Sequence, residues 1–144
     1  MLQGRLALSP YDLLVGLRIL EVAAGRSRLA IDADERFHNP AHVLHGGILS
    51  GLVDSAMAYA VSTQLDPDES CTNIDLTIRF VKATVSERLV AEAKVVRAGR
   101  TVVVTECDVK DEDGDLVARA SSSFLRRGAR DGAGWLSEPK GDRR

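Results

Sequence analysis

Two cysteines in 144 residues, Cys71 and Cys107, are too few for a disulfide framework and lack the spacing of a metal site. Aromatic residues make up only 4%, which leaves few stacking platforms for single-stranded nucleic acid. Nineteen Lys and Arg stand against 21 Asp and Glu, so no global basic field exists to hold a nucleic acid. The longest apolar stretches fall far short of the roughly 20 residues that cross a bilayer. No charged segment followed by an apolar run opens the chain, so no signal peptide is expected. What is present is ordinary: 44% hydrophobic and 28% charged residues, the make-up of a globular protein. A compact chain of this length buries roughly 68–70% of its unfolded surface, enough for one core without staples. These bounds describe a single cytoplasmic domain with a small-molecule partner, no nucleic acid and no membrane.

Ser9-Pro10-Tyr11-Asp12 is a helix-start signal, and Gly16 stops that helix early, so a short one is expected over about 10–16. Residues 17–22 read as a strand, Gly25-Arg26 as a turn, and residues 28–32 as a returning strand. No periodicity holds from Ala33 to Leu44, and Asn39-Pro40 blocks a helix there. After His45 the pattern changes. Ile48, Leu49, Leu52, Val53, Ala56, Met57 and Ala60 recur at three- and four-residue spacing, which predicts an amphipathic helix. Gly47, Gly51, Asp54 and Ala58 fall on one stripe of its other face, a single carboxylate among residues with almost no side chain.

From Ser70 onward the pattern is strand. Ile74, Leu76, Ile78 and Phe80 alternate with Asn73, Asp75, Thr77 and Arg79. Residues 89–97 and 101–109 flank an Ala98-Gly99-Arg100 turn. The polar run 111–115 turns into a last strand with Leu116, Ala118, Ala120, Ser122 and Phe124 on one face. Consecutive hairpins imply an antiparallel sheet with one solvated or partner-covered face. From Gly128 on, Gly, Arg, Asp and Lys dominate, so 1–127 is read as the domain and 128–144 as a flexible tail. The expected class is α+β, one long helix against six antiparallel strands.

The informative stretch is Asn39-Pro40-Ala41-His42-Val43-Leu44-His45-Gly46-Gly47, followed nine residues after His45 by Asp54. Gly46 and Gly47 sit where the helix begins, so unsatisfied N–H groups and the positive end of the helix dipole face outward. An acyl oxygen placed there meets ready donors, and glycine permits close approach. Asp54 has no basic residue three or four positions away, which disfavours a purely salt-bridged role. His38, His42 and His45 do not read as a metal trio, because Asn39-Pro40 prevents their alignment and no further ligand completes the set. Ser50-Gly51 is no nucleophile elbow, since Ile48 stands where a glycine is required. Cys107 alternates inward with Thr105 and Val109.

The His45-Gly46-Gly47 run, its spacing to Asn39 and Asp54, and the Thr72–Phe80 and Phe124–Arg126 strands resemble the hotdog-fold thioesterases of the phenylacetic-acid-degradation (PaaI-like) type. The resemblance covers about residues 14–127. It implies an acyl-CoA thioesterase for a medium-chain or aryl acyl group, with Asp54 as general base or nucleophile and the Gly46 N–H as oxyanion donor. It further implies that Asn39 and His45 orient the loop or the carbonyl, and that Thr72 or Asn73 positions a water. CoA enters as part of the substrate, with no cofactor or metal. Gly47 and the arginines 97, 100, 126 and 127 are its candidate contacts, although solvated turn charges are an equal reading of Arg97, Arg100, Arg126 and Arg127. The resemblance also implies a homodimer that shares its sites, paired into a dimer of dimers. A non-catalytic acyl-CoA-binding or regulatory module and an enoyl-CoA hydratase are the competing expectations.

Overall fold

The computed structural model describes residues 7–128. The expected tail therefore lies outside the described residues apart from Gly128. The first helix, α1 (Pro10–Leu14), opens with a reciprocal cap: the Ser9 hydroxyl accepts from the Asp12 N–H, and the Asp12 carboxylate accepts from the Ser9 N–H. It is shorter than the sequence suggested. Val15 caps its end and Gly16 takes a left-handed φ of +70°, so no helical turn passes Leu14.

Strands β1 (Arg18–Ala23) and β2 (Arg26–Asp32) form a hairpin, and a 3-10 turn at Glu35–Phe37 leads into a loop. Helix α2 (Gly46–Ser62) follows, then β3 (Ser70–Phe80), β4 (Arg88–Ala98), β5 (Val102–Lys110) and β6 (Leu116–Arg127). The six strands form one antiparallel sheet in the order β1-β2-β4-β5-β6-β3. The simple succession of hairpins expected from sequence fails at β3. The helix carries the chain across the sheet to the far edge, where β3 pairs with β6, and residues 81–87 bring it back between β2 and β5.

The core forms where α2 meets the sheet. Val53, Ala56, Met57, Ala60 and Val61 join Leu29, Ile31, Leu89, Val103, Val109 and Val117 in one buried cluster. Each large side chain buried there stabilises the fold by about 1.5–3 kcal/mol. A polar contact fixes the register of helix on sheet: the buried Ser27 hydroxyl donates to the Ala56 carbonyl at 2.6 Å. On the helix's outer side, α1 is held down by the buried Asp12. Its carboxylate accepts from the Ser55 hydroxyl at 2.8 Å and the Tyr59 hydroxyl at 3.2 Å. Burial, and then the Asp12 charge, push the Tyr59 phenol up to about 12, so it stays a donor.

Edge strand β3 departs from clean alternation. A β-bulge lies between Asn73 and Asp75, so Ile74 is the extra residue. Asn73 then shares the helix-facing side with Leu76, Ile78 and Phe80, whereas unbroken alternation sets it on the opposite face. Ile74 and Phe80 are left 55% and 54% exposed, so this apolar edge is only partly covered.

Candidate active site

The site is built around the first three turns of α2. His45 is the N-cap residue, and its Nδ1 accepts from the Gly47 N–H at 2.8 Å. That bond consumes one of the donors that open the helix. The Gly46 N–H has no hydrogen-bond partner among the described residues, so the open donor is at Gly46 and not Gly47. Gly46 lets the Phe80 ring pack close to the helix start: a Cβ there would lie 2.8 Å from the ring tip, and the half-exposed ring would have to shift.

The loop before the helix is held in several places. The Asn39 carbonyl oxygen Oδ1 accepts from the Ala41 N–H at 2.9 Å, and the Asn39 N–H donates to the Val43 carbonyl. His42 takes a φ of +61°, a conformation side chains other than glycine seldom adopt. The Leu44 N–H donates to Thr84 and the His45 N–H to Phe37. Asn39 therefore orients the loop that presents His45, and it lines a cavity of about 330 Å³ together with Gly46, Leu49, Phe80 and Thr84.

Asp54 is exposed on the helix surface, and no cation pairs with it among the described residues. Its one hydrogen bond comes from the Asn73 side-chain amide, Nδ2 to Oδ1 at 2.6 Å. Asn73 is itself held by Ser122, whose single hydroxyl proton is shared between the Asn73 Oδ1 and the Asp75 carbonyl, each 2.6 Å away. The chain Ser122–Asn73–Asp54 thus aims neutral dipoles at the carboxylate and leaves Oδ2 open. Asp54 also acts on its neighbours: burial and then the Asp54 charge push the Cys71 thiol up to about 11.

The structure brings Asn73 to Asp54, while Thr72 turns away on the adjacent position, its hydroxyl buried with no partner. The bulge is what sets Asn73, and not Thr72, on the helix-facing side. Ser122 was visible in the sequence only as one of three strand serines; its role depends on the same register shift. Gly46 and Asp54 are eight residues apart, so they lie about 12 Å apart along the helix. A reacting carbonyl needs both groups within about 3 Å. One chain therefore does not bring its own donor and its own carboxylate to the same carbon.

The arginines divide. Arg126 is committed within the fold: it pairs with Glu69 at 2.6 Å and donates to the Gln64 and Gly99 carbonyls, clamping the loop after α2 to the β4–β5 turn. Its expected phosphate contact gives way to this internal role. Arg97 and Arg100 stand exposed at the β4–β5 turn, and Arg127 is half-buried at the end of β6. A larger cavity of about 570 Å³ elsewhere is ringed by Asp32, Asp34, Glu35, Glu87 and Glu112, whose negative charge opposes a phosphate-bearing ligand. Asp111, Asp113 and Asp115 converge within 4.8 Å, but the Lys82 ammonium already bridges Asp111 and Asp115 at 2.8 Å each.

One long helix lying on a six-stranded antiparallel sheet is the architecture of the hotdog class. The family model described as Thioesterase superfamily matches residues 41–118, and the chain belongs to that superfamily, as a thioester hydrolase. A Saccharolobus solfataricus protein provisionally named an esterase is 33% identical over 108 residues, covering 75% of this chain and 76% of that one. The 1,4-dihydroxy-2-naphthoyl-CoA hydrolase of Listeria monocytogenes is 23% identical over 103 residues, 72% of this chain and 84% of that one. A solved thioesterase family protein from Silicibacter pomeroyi superposes with a TM-score of 0.82 at 25% identity, covering 88% and 96% of the two chains. The E. coli PaaI protein has the same fold, with a TM-score of 0.81 at 22% identity and 88% and 90% coverage. Among the described residues no helix is long and apolar enough to cross a membrane.

Proposed function

We propose that this protein is an acyl-CoA thioesterase that hydrolyses a medium-chain or aryl acyl-CoA to the free acid and CoA. The observation that carries this reading is the Ser122–Asn73–Asp54 chain, a carboxylate held by a neutral amide donor and paired with no cation among the described residues. Asp54 either removes a proton from water as it attacks the thioester carbon, or attacks that carbon itself to form an acyl-aspartyl anhydride that water then hydrolyses to the free acid and regenerated Asp54. The Gly46 N–H receives the oxyanion, and the CoA thiolate departs. His45 holds the helix start in shape through Gly47, and Asn39 fixes the loop around it. In this reading CoA enters as part of the substrate, and the steps proposed call on no cofactor.

The 12 Å separation along α2 supports a site completed by a second copy, with the Gly46 end from one chain and Asp54 from the other. The apolar, half-covered edge of β3 supports the same pairing. Such homodimers would associate further into a dimer of dimers and work in the cytoplasm. Arg97, Arg100 and Arg127 are the arginines assigned to the CoA phosphates.

A panel of acyl-CoAs of graded length, plus aryl acyl-CoAs, tests the reading by release of free thiol. The expected result is hydrolysis by the wild type and its loss in Asp54→Asn and Asp54→Ala. Equal single-turnover rates in wild type and Asp54→Asn would overturn the role given to Asp54. Sedimentation equilibrium checks the dimer, and a monomer at working concentration with full activity would overturn the shared site.

A further inference from the structure

The chain has two tyrosines, and they differ in one respect. The buried Tyr59 hydroxyl is engaged with Asp12, whereas the hydroxyl of Tyr11, 45% exposed, has no partner among the described residues. Tyr11 is the neighbour of Asp12, so the bonds from Ser55 and Tyr59 to Asp12 also fix where Tyr11 stands. Its phenol lies directly on Gly51: a Cβ added to Gly51 would fall 1.9 Å from the Tyr11 oxygen. Gly51 is on the same helical stripe as Gly47 and Asp54. Tyr11 also lines a cavity of about 300 Å³ with Val15, Phe37, His45, Gly47 and Ile48, at the helix end that carries the open Gly46 donor.

We propose that Tyr11 contacts the ligand, its hydroxyl donating a hydrogen bond to a carbonyl oxygen of the bound thioester substrate, with α1 serving as the bolt that holds it in place. The proposal rests on the acyl-CoA reading. Three independent features carry it: a phenol with no partner, a buried carboxylate that anchors the adjacent residue, and a glycine whose missing side chain makes room for the ring. Burial, then the charges of Asp12 and Asp54, push the Tyr11 phenol above its ordinary pKa, so the group donates and does not ionise near neutral pH. Carbonyl acceptors of an acyl-CoA near that point are the thioester oxygen on the acyl side and the amide oxygens of the pantetheine arm.

Tyr11→Phe removes the hydroxyl and keeps the ring. Its kcat/KM on the best acyl-CoA of the panel should fall about tenfold, chiefly through KM, with an unchanged melting temperature. Gly51→Ala pushes the phenol aside and should cause a similar loss. Adding Gly51→Ala to Tyr11→Phe should cost little more, because both changes remove the same contact. The S-propyl thioester of the same acid lacks the amides: a loss on both substrates puts the acceptor on the acyl side, and a loss on the acyl-CoA alone puts it on the pantetheine arm. A readout independent of turnover is carbon-13 NMR of labelled tyrosine with phenacyl-CoA, a thioether that is not hydrolysed. The Tyr11 ring signal should shift on binding and the Tyr59 signal should not. A Tyr11→Phe protein within twofold of wild type, fully additive losses, or phenacyl-CoA binding with a still Tyr11 signal would overturn this inference alone. Absence of both acyl-CoA hydrolysis and phenacyl-CoA binding would overturn the acyl-CoA reading and this inference with it.

Discussion

Two carboxylate sites in this molecule, a cluster at a turn and a lone aspartate on the helix, are built on opposite principles. At the β5–β6 turn, Asp111 and Asp115 close on the Lys82 ammonium, which holds the Asp111 carboxyl below the usual range and the lysine well above its own. The Asp111 side chain also accepts from the Asp113 and Asp115 N–H groups, which knits the turn together. On α2, Asp54 has an amide in place of a cation. A neutral donor fixes the direction of a carboxylate without cancelling its charge. The first arrangement stabilises a turn; the second leaves a charged carboxylate steered but not neutralised, as the proposed chemistry needs.

Changing Asp54 separates the two most sharply. Asp54→Asn should lower kcat/KM by on the order of 10²–10⁴-fold with no loss of melting temperature, as read by thiol release and thermal melts. Asn73→Ala leaves the carboxylate unsteadied, and a hydrogen bond to a charged group of about 1.5–3 kcal/mol corresponds to roughly a ten- to hundredfold loss in kcat/KM. Ser122→Ala acts one bond further back through a neutral contact, so its loss should be about two- to tenfold. If Asn73→Ala and Ser122→Ala were strictly additive, the relay between them would be wrong.

Changing the other cluster should do the reverse. Asp115→Asn, which removes one side of the Lys82 bridge away from the site, should lower the melting temperature by a few degrees while kcat/KM stays put. Acidity gives a second view of it. Asp111 and Asp108 both have depressed carboxyl pKa values in the fold, Asp111 through Lys82 and Asp108 through Arg119. Their stabilisation is present above the ordinary unfolded value near 3.9 and is lost as pH falls through the lower folded values. Acid unfolding should therefore set in below about pH 4, and Lys82→Met should move it to higher pH. The smallest effect concerns Cys71. Removing the Asp54 charge lowers its thiol pKa slightly, so alkylation near pH 9 should quicken by no more than a few-fold in Asp54→Asn. Burial, the larger cause, remains.

The periodicity of residues 48–60 fixed the central helix, because one apolar stripe can be buried in only one way. His45 with its two glycines marked the start of that helix, and the stripe of small residues marked Asp54. The position of β3 beside β6 was not legible, since local alternation says nothing about which strand lies next door. Nor was the choice between Thr72 and Asn73, because a bulge leaves no mark in a run such as Asn73-Ile74-Asp75 that already alternates. Arg126 misled for a related reason. Its partners Glu69, Gln64 and Gly99 are distant in sequence and meet it only once the sheet is assembled. Tyr11 stood inside a helix-start signal, and its proximity to Gly51 exists only because Asp12 docks across the fold.

The extra residue at Ile74 also bears on how such a chain can change over generations. Deleting one codon there would restore an unbroken strand that still pairs with β6 and still buries the same core. Every position N-terminal to it would keep its partner and its side, so Asn73 would still face Asp54 and Thr72 would still face away. A lineage could thus shed the bulge through a single in-frame deletion and keep Asn73 on the side of Asp54, whereas straightening the strand with Ile74 in place would turn Asn73 outward.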